Sequence, residues 1–111
     1  MWSARSLVLT LALLQGAPAL AAKEEVFALV VTNNRSLGRK RPDLQYADDD
    51  GARYHALFRT VAPADNVTLL TRFDGASRRL YPELCAKVVA PTTRAVDREL
   101  ARLGRRIAAA R

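Results

Sequence analysis

Six apolar residues in unbroken succession, Val26 to Val31, constrain this chain more than any other stretch of it. A strand with one wet face alternates apolar and polar residues. A short run with no alternation, rich in β-branched residues and bounded by polar ones, is the pattern of a strand covered on both faces. The run therefore predicts a sheet with helices on either side. It begins after the polar spacer Lys23-Glu24-Glu25 and ends at Thr32-Asn33-Asn34, where a basic loop, Arg35 to Pro42, follows.

The next segment predicts a helix. Tyr46, Gly51, Tyr54, Leu57, Phe58 and Val61 fall at the spacing of one helical face. Three consecutive carboxylates, Asp48, Asp49 and Asp50, occupy its cap and first turn, where unpaired backbone N–H groups and the positive end of the macrodipole favour anions. Capping explains one or two of the three. Pro63 ends the helix, Asp65-Asn66 makes a turn, and Val67 to Leu70 predicts a second short strand. Asn66-Val67-Thr68 has the form of a glycosylation sequon, a three-residue match that arises often by chance. Between Ser77 and Ala90 the pattern is weak: Pro82 argues against one continuous helix, and Leu84 to Val89 fits a short strand or a helix end. Thr93, or Thr92, then caps a clear helix whose stripe is Val96, Leu100, Leu103 and Ile107, with Arg94, Arg98, Arg102 and Arg105 on its other, solvated faces.

Strand, helix, strand, helix is the opening of an α/β parallel sheet with right-handed crossovers. Two or three strands do not complete such a sheet, so the apolar faces call for further strands or for a partner that supplies them. The chain has 111 residues, room for one domain at most. Residues 1–22 fit a secretory signal peptide: Arg5 in the n-region, an apolar Leu7 to Leu14, and a small-x-small Ala19-Leu20-Ala21 before cleavage at Ala21 or Ala22. That apolar run falls short of the ~20 residues a bilayer span needs. The expected product, residues 23–111, is exported to the periplasm or beyond the cell, with no stable membrane span.

The formal net charge is +7, and the leader carries only one of the basic residues. Such a balance raises nucleic acid as a partner. The basic residues, however, lie in three separate segments and are not interleaved with the aromatics that single-strand binding uses, so no nucleic-acid partner is expected. A single cysteine, Cys85, excludes an internal disulfide and a cysteine metal cluster. Its apolar neighbours and the distance in sequence from His55 make it a buried small hydrophobe rather than a nucleophile. Neither a cofactor nor a metal is expected.

With these elements in place, a family resemblance emerges. The apolar strand ending in Asn33-Asn34, the stretch Leu44-Gln45-Tyr46-Ala47-Asp48-Asp49-Asp50-Gly51-Ala52, the later Asn66-Val67-Thr68-Leu69-Leu70 and the helix opening at Thr93-Arg94 resemble the start of bacterial caspase-like peptidases, the metacaspase and paracaspase relatives. The likeness spans about Val26 to Ala110; Arg78 to Ala90 departs from it as an insertion. It implies the first part of a caspase-like three-layer sandwich and, for the complete domain, a cysteine endopeptidase in which a histidine at one strand end activates a cysteine at the next. In the family that histidine follows the helix that here ends near Arg111. His55 lies inside the first helix and Cys85 precedes the expected histidine, so the resemblance carries no catalytic residue onto this chain. It does suggest Asp50, just before Gly51, as an acidic contact for a basic substrate side chain. The expected function is thus an N-terminal portion of an exported caspase-like endopeptidase acting on protein or peptide substrates, inactive alone. The alternatives are a pseudo-peptidase or interaction half-domain completed by a partner, and a small basic adhesion protein.

Overall fold

The computed structural model describes residues 24–36 and 40–111; the proposed signal peptide lies outside the described residues. The described residues are mixed α/β, with a two-stranded parallel sheet and four α-helices. Strand β1, Ala28–Val31, pairs with β2, Val67–Leu70, in a register that sets Ala28 against Val67 and Val31 against Leu70. A parallel pair needs a long crossover, and helix α1, Ala47–Arg59, supplies it. Helices α2, Gly75–Leu80, and α3, Pro82–Cys85, form a short angular excursion, and α4, Thr93–Ala109, closes the described fold. Between α3 and α4 a single parallel bridge, Leu70 to Val89, adds one residue to the outer edge of β2.

Successive strand residues face opposite sides of a sheet, and Thr68 and Leu69 divide the two helical layers between them. Leu69 is buried with Ala52 of α1 and with Phe73. Thr68 donates to Glu99 of α4 through its hydroxyl (3.2 Å). So α1 and α4 cover opposite faces. On the α4 side a polar network fixes the helix. Arg102 bonds Glu99 (2.8 Å), the Thr68 hydroxyl (2.7 Å) and the Asp65 carbonyl (3.0 Å). Arg106 grips the buried Asn66 Oδ1 with two N–H groups, and Asn66 Nδ2 donates onward to the Val26 carbonyl.

Several expectations need correction. The first strand is not buried on both faces: only Ala28 is buried, and Val31 is 45% exposed. Two helices and one neighbouring strand leave its far edge and its carboxyl end uncovered among the described residues. On α1 the buried side is Asp48, Gly51 and Ala52 with half-buried Phe58, whereas Tyr46, Tyr54, Leu57 and Val61 are exposed. Of the six residues whose spacing set the expected face, only Gly51 and Phe58 turn inward, because small residues are what allow the helix close to the sheet. The stripe of α4 is likewise only partly covered: Ala95 and Leu103 are buried, Leu100 is 55% exposed. Arg102 does not lie on a solvated face; it belongs to the network on Thr68 and Glu99. The N-cap of α4 is Thr92, whose Oγ1 accepts from the Ala95 N–H at 3.1 Å. Pro82 does break the weak region into two helices, as the first residue of α3.

Candidate functional site

The carboxyl ends of β1 and β2 open into a crevice of about 860 Å³. Ligand sites of open parallel sheets lie in this position. Its wall from β1 is Asn33, Asn34 and Arg35; from β2 it is Thr71, Arg72, Phe73 and Asp74; the far side includes Arg78 and Cys85. Thr32 and Thr71, the residues after each strand, tie the two ends with a hydroxyl–hydroxyl bond of 2.8 Å. Thr71 is buried, and its N–H donates to the Val89 carbonyl (3.0 Å).

Asp48 lies beneath this crevice with no exposed surface. Its Oδ2 accepts from the Asp74 N–H (2.9 Å), its Oδ1 accepts from the Asp49 N–H (3.0 Å), and its own N–H donates to Asn34 Oδ1 (3.1 Å). One residue thus joins α1 to the loops leaving both strands, by its carboxylate to Asp74 and by its backbone N–H to Asn34. Burial alone would push its carboxyl up. Hydrogen bonding from the Asp74 N–H, Asn34, Ser77 and the Asp49 N–H outweighs this and holds it below the ordinary value. Asp49 accepts from the Ser77 hydroxyl (2.7 Å), and Asp74 caps α2 by accepting from the Ser77 N–H (2.8 Å). Asp48 is not the N-cap of α1: that position is Tyr46, which makes no side-chain cap bond, and the Asp48 carboxylate reaches beyond the helix to the Asp74 N–H.

Gly51 lets this arrangement close. A Cβ built there would stand 2.6 Å from Thr32 Oγ1 and 3.1 Å from Leu69 Cδ1. Asp50, the suggested substrate contact, is exposed in the first turn of α1, and its N–H donates to the Tyr46 carbonyl (3.0 Å). It lines neither the crevice nor the second cavity described next. The residues that do shape the crevice, Asn34, Arg72 and Asp74, gave no sequence signal beyond their place at strand ends.

A second cleft, of about 910 Å³, runs along the outer edge of β2 between α1 and the α2–α3 excursion. His55 lines this cleft and Cys85 lines the crevice, so the chain's one imidazole and one thiol face different cavities. Burial first, then the charges of Arg59 and Lys87, hold the His55 imidazole below its ordinary pKa. Cys85 is half-buried and packs with Leu84 and Val88 against the Leu69–Phe73 cluster. Among the described residues no group of three or more histidine, cysteine or acidic side chains could hold a metal ion, and no helix is long and apolar enough to cross a membrane. Comparison of the chain with family models, curated proteins and solved structures finds no match.

Proposed function

We propose that this chain is the N-terminal portion of an exported caspase-like cysteine endopeptidase domain that cleaves after basic residues, and that it is inactive on its own. The observation that carries the reading is the placement of α1 and α4 on opposite faces of the parallel pair. A right-handed crossover through α1 leads from β1 to β2. A right-handed crossover through α4, on the other face, leads back the opposite way. A strand following α4 would therefore pair with the free edge of β1 and end beside the crevice. The family resemblance puts the reactive histidine at the end of such a strand, and the cysteine on a later one. There the imidazole takes the thiol proton, the thiolate attacks the scissile carbonyl, and the proton passes to the leaving amine; water then releases the acyl group. Asp50 remains the proposed acidic contact for the basic side chain.

The test is to read the gene past Arg111 and assay both products. The extended protein should contain a strand ending in His-Gly and a later cysteine, and should hydrolyse peptide reporters ending in Arg or Lys. The 111-residue chain should not. Unrelated sequence past Arg111, or turnover by the short chain that Cys85→Ala abolishes, would refute the reading. A second reading, an interaction half-domain, draws on the same uncovered β1 edge, since an unpaired strand edge is a template for another chain. A short chain that is monodisperse and unfolds cooperatively would favour it.

A further inference from the structure

The free edge of β1 is the least protected border of the fold. Thr32 donates its N–H to the Leu70 carbonyl (3.0 Å). By alternation, Ala28, Val30 and Thr32 turn their backbone groups to β2, while Phe27, Leu29 and Val31 turn theirs outward. Edge strands are ordinarily kept solitary by proline, by charge or by a cover. Val26 to Val31 holds neither proline nor charge, and no described strand pairs with its outer side. The helical layers stop short in the same direction. Phe58 packs on the cluster of Ala28 and Val67, and Tyr54, one turn before it on α1, is exposed. On the opposite face Ile107 borders Phe27, and Leu100, two turns before it on α4, is exposed.

The ends of the strand indicate the partner. Glu24 and Glu25 precede it and Arg35 follows it; all three are exposed, and none is in an ion pair among the described residues. A parallel neighbour of the same sequence would align acid with acid. An antiparallel one reverses the order and brings acid to arginine at both ends. We propose that the 111-residue chain forms a two-fold dimer in which β1 pairs antiparallel with β1 of a second copy, Val30 facing Val30 at the axis. In that register Leu29 faces Val31 of the second copy, and Glu25 faces its Arg35. Leu29 and Val31 exchange two main-chain hydrogen bonds on either side of the axis, and Val31, 45% exposed in the single chain, gains Leu29 as its cross-strand neighbour. The sheet grows to four strands, α1 and α4 approach their counterparts through Tyr54 and Leu100, and the self-complementary contact closes at two copies. This pairing rests on the half-domain reading and names its partner; a longer chain that laid its own strand on the edge would leave no room for the second copy.

Sedimentation velocity on the full chain across a range of concentrations tests the dimer. A monomer–dimer equilibrium is expected, with no larger species. Glu25→Arg and Arg35→Glu each set like charges opposite one another and should weaken the dimer about tenfold, a change of ~1.4 kcal/mol. The double variant restores opposite charges and should recover most of that loss. Leu29→Pro removes an outward N–H and no bond to β2, so it should abolish the dimer; the two charge variants, at exposed positions, keep the test open if the proline variant fails to fold. A chain that stays monomeric, an open series of larger species, or a double variant no better than the single ones would each overturn the dimer. A monomer that unfolds cooperatively would leave the half-domain reading standing with another partner, whereas a molten monomer would sink both.

Discussion

Replacing Asp48 by alanine is the sharpest probe of what holds the two strand ends together. The substitution removes both carboxylate oxygens from a site with no exposed surface, so the N–H groups of Asp49 and Asp74 lose their acceptor. An unsatisfied buried donor costs about 1–3 kcal/mol, which makes ~2–6 kcal/mol for the pair. Ordinary domains hold roughly 0.05–0.15 kcal/mol per residue, so an ordered region of this size has ~4–13 kcal/mol in all. Asp48→Ala should therefore consume much of the stability. With a urea m-value near 2 kcal/mol per molar, the midpoint should fall by about 1–3 M. Asp48→Asn retains one acceptor oxygen and should fall between the two. Asp50→Ala is the control: it shares the helix N-terminus, and so the ~0.3–1 kcal/mol of dipole attraction, but it is exposed. The assay is urea unfolding followed by far-ultraviolet circular dichroism. If Asp48→Ala moves the midpoint no further than Asp50→Ala, the buried carboxylate is not the tie described here.

Other expectations follow from the same contacts. Gly51→Ala brings a methyl group against Thr32 Oγ1 and should cost about 1–3 kcal/mol by overpacking; pairing it with Thr32→Ala, which removes the obstructing oxygen, should recover part of that loss in the same unfolding assay. Thr92→Ala removes the cap of α4 and should cost about 1 kcal/mol, read as a lower urea midpoint. Stability should rise with pH. Asp48 and Glu99 are both held below their ordinary values of 3.8 and 4.5, Glu99 because bonding and charge from Arg102, with Thr68 and Arg98, outweigh the upward push of burial. The unfolded chain therefore takes up protons first as the pH falls, and their contribution is complete above those values and lost as the pH drops through the folded ones. His55, lowered from 6.5, acts in the same direction over the window below that value. A urea midpoint that climbs on acidification from pH 6.5 to pH 3 would contradict this sign.

The parts of the fold that rest on local pattern were legible. Val67 to Leu70 is a strand because four residues with two β-branched members sit between a turn and a polar exit. Helix α4 follows from its threonine cap and its apolar repeat, and Pro82 breaks the chain where its ring must. What sequence spacing missed was decided by the partner surface. On α1 Tyr54 and Leu57 lie on a side that nothing among the described residues covers, while Gly51 and Ala52, small enough for close approach, form the main contact together with half-buried Phe58. Arg102 and Arg106 carry the charge of a wet face, yet their guanidinium groups find Thr68 and Asn66 on a strand and turn some thirty to forty residues earlier. Such meetings depend on register, and periodicity does not encode it. The same limit applies to the crevice. Strand ends are visible in sequence, but the meeting of Asn34, Asp48 and Asp74 is not, and Asp48 therefore looked like one of three similar capping acids.

The relay from Arg106 through Asn66 to the Val26 carbonyl has a consequence for how the molecule is made. The anchor for the leading end of the sheet lies on α4, which is synthesised only after both strands and the three other helices described. Until α4 emerges, the opening strand has only its neighbour and one helix to lean on. The first strand therefore gains its last anchor late, only once α4 can fold back across the sheet.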